Sequence, residues 1–250
     1  MSFFSKIFGK STRTDKPADL SVLKCDVHSH FIPGIDDGAE TMDQSIDMLR
    51  EFAAMGYKKV VTTPHVMSDA YRNTPEIILN GLSQVRVALK TEGIPLEIEA
   101  AAEYYLDYEF EKMIEQKALL TFGENHVLFE LAFINPPDSL MGAIFKMQTN
   151  GYKPVLAHPE RYSFWHHDFK KYEELAEKGV LLQLNINSLT GHYSPQVKAV
   201  AERMIDQNMI SLLGSDCHHA GHIDLIKNGA LYEKSLHKLL ESGKLLNNTL

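Results

Sequence analysis

Short apolar segments alternate along this chain with longer segments in which apolar residues recur every three or four positions. The short segments are rich in Val, Ile and Leu and have the length of buried strands, whereas the longer ones have the period of amphipathic helices. The pattern predicts seven strands, at residues 22–27, 58–63, 96–101, 126–131, 153–157, 180–186 and 210–215.

Seven helices are predicted between and after these strands, and several of them have start or stop signals. Thr41 precedes the first helix, Pro75 opens the second, and Gly151 and Gly179 end two others. The helices are predicted at residues 41–56, 75–92, 107–117, 138–150, 168–178, 195–207 and 229–242.

Strand and helix alternate without a second strand-rich or helix-rich block, so the pattern predicts one α/β domain at residues 21–250. Strands that are separated by helices pair in parallel. The favoured architecture is a single-domain, distorted (βα)7 barrel of the TIM-like kind, and the alternative is an open doubly wound sheet.

Residues 1–20 differ from this pattern and are predicted to form a flexible, basic N-terminal tail. Lys6, Lys10, Arg13 and Lys16 lie close to several Phe residues, without the apolar stretch of a secretory signal. A flexible extension is the favoured interpretation. Weak contact of this tail with an anionic membrane surface is the alternative.

Composition narrows the class of protein further. With 44% apolar residues the chain can bury a sizeable core, and no apolar run reaches the length that spans a bilayer. A formal net charge of -8 argues against broad nucleic-acid binding. Two cysteines, Cys25 and Cys217, make no disulfide framework and indicate a reducing, cytoplasmic location.

Histidines and carboxylates lie at or just beyond the carboxyl ends of most predicted strands. In a closed parallel barrel these ends meet at one mouth, where active sites of this architecture form. Residues that are far apart in sequence can then share one site. The candidates are His28, His30, His65, Glu103, His158, Asp216 and His218, while the fourth and sixth strands offer Glu130, Asn185 and Asn187.

The spacing of these residues indicates a metal site. His28 and His30 are two positions apart, so on a strand both imidazoles point to the same face. Imidazoles and carboxylates without thiolates suit zinc, manganese, iron or cobalt. The turn IDDG after the first strand adds Asp36 or Asp37, and spacing leaves open which of the two faces the mouth.

Together these motifs resemble the polymerase and histidinol phosphatase (PHP) superfamily. DVHSH, IDDG, TTPH, LAHPERY and GSDCH occur in the order of that family, and the likeness runs from about residue 24 to 240. It is closest to the bacterial PHP-class protein tyrosine phosphatases that accompany tyrosine kinases of capsule and exopolysaccharide production. The resemblance implies a distorted (βα)7 barrel that holds three divalent ions, with manganese favoured over iron, zinc and cobalt.

The resemblance also implies a role for each matching residue. His28, His30, Glu103 and Asp216 would share one ion, Glu103 and His158 would bind a second, and Asp37, His65 and His218 would hold the third. It favours Asp37 over Asp36. The expected catalytic residues are Arg161, Glu103 and His158, with Arg161 binding substrate phosphate.

One position departs from the family pattern. Relatives often carry a second phosphate-binding arginine after the SDxH motif, but this chain reads SDCHHAGHIDL. Either His219 or His222 would be a weaker, pH-dependent donor, or the substrate differs, and His222 is the favoured candidate.

The expected activity is that of a metal-dependent phosphomonoesterase, in which metal-activated hydroxide attacks the phosphoryl group directly. A cysteine route has no candidate, because Phe31 and Ile223 stand where the phosphate-cradling arginine would follow Cys25 and Cys217. The expected partner is a phosphotyrosine protein, namely a cognate bacterial tyrosine kinase. The alternatives are a small-molecule phosphatase such as histidinol-phosphate phosphatase, an amidohydrolase, and a non-catalytic scaffold.

Overall fold

The computed structural model describes residues 13–250, and predictions for residues 1–12 lie outside the described residues. The strands lie close to the predicted positions. They are β1 (Cys25–Asp26), β2 (Lys59–Thr62), β3 (His65–Val66), β4 (Glu97–Ala100), β5 (Glu103–Tyr105), β6 (His126–Glu130), β7 (Lys153–Ala157), β8 (Leu181–Asn185) and β9 (Leu212–Gly214).

All of these strands pair in parallel, in two sheets of order β1-β2-β4 and β3-β5-β6-β7-β8-β9. The second and third predicted strands correspond to β2 and β4, and after a short break each is followed by a further strand, β3 or β5, that lies beyond the predicted bounds. Pro64 lies in the first break and has no N–H for a ladder hydrogen bond. Each broken strand therefore contributes one part to each sheet.

Backbone hydrogen bonds also join the chain after β9 to the chain after β1. The Asp216 N–H donates to the His28 carbonyl at 2.8 Å, and the His30 N–H donates to the Cys217 carbonyl at 2.9 Å. An open sheet lacks such a link between its first and last strands. The fold is thus the predicted distorted, TIM-like α/β barrel in a single domain, and the doubly wound alternative is not adopted.

The helices that follow the strands pack their apolar faces on a large hydrophobic cluster. Several begin at a side-chain cap: the hydroxyls of Thr41, Thr74 and Ser194 accept from the N–H groups of Gln44, Ile77 and Val197. The helices are α1 (Met42–Ala54), α2 (Pro75–Thr91), α3 (Tyr108–Glu115), α4 (Leu140–Thr149), α5 (Lys170–Glu177), α6 (Pro195–Asp206), α7 (Ala220–Asn228) and α8 (Lys234–Glu241).

One helix differs from the prediction. Helix α7 (Ala220–Asn228) forms where no helix is predicted, and α8 starts at Lys234 rather than at residue 229. The first residues of α7, AGH, have no apolar period, and Gly229 ends this helix after nine residues. A 3-10 turn at Ala230–Tyr232 then separates the two helices.

A second, smaller hydrophobic cluster consists mainly of strand side chains. It includes Val27, Val61, Leu128 and Val155, all of which are fully buried. These residues pack together, so the polar residues that follow the strands lie on a rigid apolar base. Cys25 and Cys217 are free and buried, and both belong to hydrophobic clusters.

The described part of the predicted tail packs against the C-terminal region. The N–H groups of Thr14 and Ala18 donate to the carbonyls of Tyr232 and Leu231, each at 2.7 Å, and Leu20 is buried. The tail boundary at residue 20 stays a prediction, since residues 1–12 are not described. Within residues 13–250, no helix combines the length and apolar character that crossing a bilayer requires.

Candidate active site

The predicted polar residues lie together because they follow neighbouring parallel strands. His28 and His30 come after β1, His65 and Glu103 open the paired strands β3 and β5, and Asp216 comes after β9. They line or underlie a cleft of about 440 Å³. The lining includes Asp37, His65, Tyr71, Glu103, Glu130, Phe133, His158, Arg161, Tyr193, Asp216, His218, His219 and His222.

The first group of potential metal ligands comprises His28, His30, Glu103 and Asp216, all buried, with ligand atoms within 4.8 Å of one another. His28 Nε2 lies 3.1 Å from Glu103 Oε2 and 3.2 Å from Asp216 Oδ1. His30 Nε2 lies 3.5 Å and 3.4 Å from the same two oxygens. Two imidazole nitrogens and two carboxylate oxygens thus lie close enough together to share one ion.

The second group comprises His30, Asp37, His65 and His218. Asp37 Oδ1 lies 3.5 Å from His65 Nε2 and 3.4 Å from His218 Nε2. The rings of His30 and His218 stack with their centroids 3.9 Å apart. This group contains the three residues expected to hold the third ion and adds His30 beside them.

The third group comprises His65, Glu103 and Glu130. His65 Nδ1 lies 3.3 Å from Glu103 Oε2 and 3.4 Å from Glu130 Oε1. No ligand is predicted at Glu130 from the sequence, although its place at the end of the fourth strand is the available clue. His158, which is expected beside Glu103, does lie there, with its Nε2 2.9 Å from Glu103 Oε1.

His158 Nδ1 is buried and has no hydrogen-bond partner within the described chain, while the buried His65 Nδ1 lies within ion-pair distance of two carboxylates but lacks hydrogen-bond geometry. Buried polar atoms without partners are rare in proteins and call for an explanation such as a bound ion. The donor set contains only imidazoles and carboxylates, which borderline divalent ions prefer. The residues present therefore fit a centre of divalent metal ions.

The carboxylates control protonation in this cluster. Burial lowers the pKa of His28, but Glu103 and Asp216 outweigh burial and raise that pKa to about 10. Burial raises the pKa of Glu103, yet His28 and His65 hold it well below its usual value. Without metal, the positive charge of protonated imidazoles therefore compensates the negative charge of the ionised carboxylates. A bound cation would take over that role.

Hydrogen bonds fix which nitrogen of each imidazole faces the cluster. His28 Nδ1 donates to Gln183 Oε1 at 2.7 Å, and His30 Nδ1 donates to Asp36 Oδ2 at 2.8 Å. The acceptors are oxygens, so both Nδ1 atoms carry hydrogen and both Nε2 atoms are left for a metal. Asp37 thus lies with the potential ligands, while Asp36 orients His30.

Two site residues hold backbone conformations that side chains rarely adopt. His158 has a φ of 34° and Asp216 has a φ of 49°, both in the left-handed region. Such strained positions persist only where surrounding structure imposes them, and they cluster at functional sites. Here the strain turns both side chains toward the cleft at the ends of β7 and β9.

Arg161 lies at the same cleft and contacts the ligand cluster directly. Its Nη1 donates to Asp216 Oδ2 at 2.9 Å, while Asp216 Oδ1 faces His28. The guanidinium lies over the ring of Tyr193 at 4.3 Å and over the ring of Phe133 at 4.9 Å. Two aromatic faces therefore hold a permanent positive charge next to the ligand groups.

His222 lines the same cleft as Arg161 and lies beside Asp216 and His218. Its Nδ1 lies 3.1 Å from the Asp216 carbonyl oxygen and 3.3 Å from the His218 amide nitrogen. Burial, followed by His219, lowers the pKa of His222 to about 4. The ring lines the cleft, and a role for His222 in binding substrate phosphate stays a prediction.

A parallel barrel with clustered imidazoles and carboxylates at the carboxyl ends of its strands, and an arginine beside them, defines a PHP-type protein. Within that class, the chain belongs to the CpsB/CapC family of capsular polysaccharide synthesis, whose family model matches residues 24–225.

Characterised relatives agree with this placement. The chain is 31% identical over 208 residues to the tyrosine-protein phosphatase YwqE of Bacillus subtilis. This alignment covers 83% of this chain and 82% of the relative. It is 25% identical over 200 residues to the tyrosine-protein phosphatase CpsB of Streptococcus pneumoniae, covering 78% and 82% of the two chains.

A solved structure is also similar. It comes from crystal structures of YwqE from Bacillus subtilis and CpsB from Streptococcus pneumoniae, described as unique metal-dependent tyrosine phosphatases. The match has a TM-score of 0.76 at 28% identity and covers 87% of this chain and 85% of the other.

Proposed function

We propose that this protein is a metal-dependent phosphomonoesterase that removes phosphate from tyrosine residues of proteins. The observation that carries the proposal is the contact of Arg161 with Asp216, in which a guanidinium cation lies directly beside groups of potential metal ligands. The tyrosine-phosphatase relatives support the choice of substrate.

Three divalent ions are proposed. The first would be held by His28, His30, Glu103 and Asp216. The second would be held by Glu103, Glu130 and His158, and the third by Asp37, His65 and His218. Glu103 is buried among these groups and supplies both of its oxygens to neighbouring imidazoles. Manganese is the proposed metal, with iron, zinc and cobalt as the others that this donor set suits. Bound divalent ions supply Lewis acidity and a hydroxide nucleophile at neutral pH.

Arg161 is proposed to bind the substrate phosphate and to stabilise charge on its equatorial oxygens. Its side chain is 23% exposed, so a ligand in the cleft can reach the guanidinium. Phe133 and Tyr193 restrict its movement, which leaves less conformational entropy to lose on binding. Glu103 and His158 would act by holding a divalent ion beneath the phosphate.

The walls of the cleft support an aromatic substrate. Tyr71, Phe133 and Tyr193 line it, and Phe133 is 42% exposed despite being apolar. An exposed aromatic ring at a cleft offers stacking to a phenyl group. A phosphotyrosine side chain combines such a ring with a dianion that Arg161 and the proposed metal ions would attract.

We further propose that the protein substrate is a cognate tyrosine kinase of capsule or exopolysaccharide synthesis, and that the reaction occurs in the cytoplasm. The family to which the chain belongs supports the pathway. Two free, buried cysteines support a reducing compartment.

The test is a substrate comparison on metal-loaded full-length protein. Manganese-loaded protein is expected to hydrolyse phosphotyrosine peptides and para-nitrophenyl phosphate, and activity should disappear on chelation and return with metal. Histidinol phosphate and a cyclic amide are the matched comparison substrates. Preference for histidinol phosphate would identify a small-molecule phosphatase, and cleavage of the cyclic amide alone would identify an amidohydrolase.

A further inference from the structure

The cleft offers few charged donors for a phosphate group. Among the described residues that line it, Arg161 alone is a lysine or arginine. A phosphate monoester presents three non-bridging oxygens, and one nitrogen of Arg161 already donates to Asp216 Oδ2. Further hydrogen-bond donors for the phosphate must therefore come from neutral side chains or from metal.

Asn185, at the end of β8, determines how the neighbouring side chains use their hydrogen bonds. Its Oδ1 accepts from the Asn187 N–H at 2.8 Å, which fixes the orientation of the amide group. Its Nδ2 therefore points to the Tyr193 hydroxyl and to Asp216 Oδ2, each at 2.9 Å. An amide nitrogen only donates, so the Tyr193 oxygen accepts this bond.

The Tyr193 hydroxyl consequently retains its own hydrogen for another acceptor. Within residues 13–250 this hydroxyl makes no hydrogen bond other than the one from Asn185. Burial and the nearby Asp216 charge raise the pKa of Tyr193 above its usual value, so the group stays protonated at physiological pH. A hydroxyl has one hydrogen to donate, and here it is available at a cleft wall.

The position of Tyr193 matches that of a phosphate ligand. Its ring lies under the Arg161 guanidinium, and its hydroxyl shares the Asn185 Nδ2 donor with the carboxylate that Arg161 contacts. A phosphate that reaches Arg161 therefore comes next to the Tyr193 hydroxyl. His222 Nδ1 faces backbone atoms of residues 216 and 218, so only its Nε2 is left for a ligand in the cleft.

We propose that Tyr193 is a substrate-binding residue whose hydroxyl donates a hydrogen bond to a phosphate oxygen beside Arg161. The inference rests on the proposed phosphatase function, and it adds a neutral hydrogen-bond donor to the proposed phosphate-binding site. Asn185 is a positioning residue in this arrangement, because its bond to the Tyr193 oxygen holds that oxygen as an acceptor and leaves the hydroxyl hydrogen for another partner.

The test compares Tyr193→Phe with the unchanged protein, both loaded with manganese, using para-nitrophenyl phosphate as substrate and inorganic phosphate as inhibitor. Phenylalanine keeps the ring under Arg161 and removes only the hydroxyl. We expect kcat/KM to fall by about tenfold to a hundredfold and phosphate inhibition to weaken, because a hydrogen bond to a charged group is lost.

Tyr104→Phe is the matched control. The Tyr104 hydroxyl also accepts one N–H bond, from Leu120 at 2.7 Å, but this residue is buried and does not line the cleft. Its loss is expected to lower stability without changing kcat/KM. Metal content measured for each variant shows whether the metal centre is intact.

A double variant distinguishes direct donation from an effect through Arg161. In an Arg161→Ala background, Tyr193→Phe should still weaken phosphate inhibition. No further loss there, or unchanged kinetics of Tyr193→Phe alone, would overturn the assignment while leaving the phosphatase proposal intact. An unchanged protein that fails to hydrolyse para-nitrophenyl phosphate with any of the four metals would instead contradict the proposed function.

Discussion

At the scale of single residues, neighbours of the same type have different roles because of where their side chains point. Asp37 faces the imidazoles of His65 and His218. Asp36 instead accepts hydrogen bonds from the His30 ring and from the backbone amides of Gly38 and His65. Partners that hold a ligand imidazole raise its basicity and restrict its rotation. Asp36 is thus expected to affect metal binding through His30.

Asp36→Ala is expected to reduce metal affinity by about tenfold to a hundredfold while leaving the fold intact. The substitution removes the acceptor that keeps hydrogen on His30 Nδ1, so Nε2 no longer has a fixed orientation. Competition with a chelator measures the affinity. Asp47→Ala, which removes an exposed carboxylate paired with Arg50, is the control and should leave it unchanged. Equal affinities of both variants would argue against the orienting role.

At the scale of elements, strand register and tight turns determine which side chains meet. His65 and Glu103 are direct partners in the β3–β5 pairing, and Tyr105 pairs with Glu130 in the β5–β6 pairing. The breaks in the second and third strands start β3 and β5 at these ligand residues. The turn after β1 then brings Asp36 and Asp37 back over the same groups.

Gly38→Ala is expected to damage this turn. A Cβ at this position would lie 2.2 Å from the His30 carbonyl oxygen and 2.4 Å from the His30 Cβ, so backbone must move. We expect a loss of about 1–3 kcal/mol of stability and weaker metal binding, because the turn carries Asp36 and Asp37. Thermal unfolding and chelator competition measure the two effects.

Gly142→Ala is the control for that substitution. Gly142 lies in α4, and a Cβ there has nothing within 4 Å. Since alanine is the better helix former by about 0.8–1.0 kcal/mol, this variant should be at least as stable as the unchanged protein. Equal melting temperatures and equal metal affinities of the two alanine variants would show that the turn does not depend on close packing at Gly38.

At the scale of the whole molecule, the candidate metal centre joins parts of the chain that are distant in sequence. Its residues follow β1 and β9 and belong to β3, β5 and β6, so bound ions would cross-link most of the barrel. Without metal, buried carboxylates hold protons on the same imidazoles. Metal binding and proton release are therefore coupled.

Metal affinity is expected to rise with pH between 6 and 8. Carboxylate neighbours raise the pKa of His28 to about 10 against the effect of burial, so its ring is protonated in this range and a metal must displace that proton. Glu103 and Asp216 have pKa values well below their usual range and stay ionised, so they add no opposing change.

The apparent dissociation constant should fall by about tenfold per pH unit for each proton displaced. Calorimetric titration of metal-free protein with manganese, in buffers of different ionisation enthalpy, measures both the affinity and the protons released. Affinity that is constant across this range, with no proton release, would show that the imidazoles are already neutral.

Local patterns in the chain predict much of this protein. All seven predicted strand positions and seven of the eight helices of residues 13–250 have counterparts in the structure, because apolar periodicity and capping residues act over a few positions. The order of strands also places His28, His65, Glu103 and Asp216 at one end of the barrel. Periodicity does not reveal α7, whose first residues lack it.

The remaining features depend on contacts between segments that are far apart, and no local pattern contains them. The breaks in two strands, the membership of Glu130 in a ligand group and the separate roles of Asp36 and Asp37 all follow from register and from packing in three dimensions. The Asn185–Tyr193 bond depends on the same packing. Residues that are close in sequence determine the local secondary structure. The packing of distant backbone segments determines which atoms each side chain contacts.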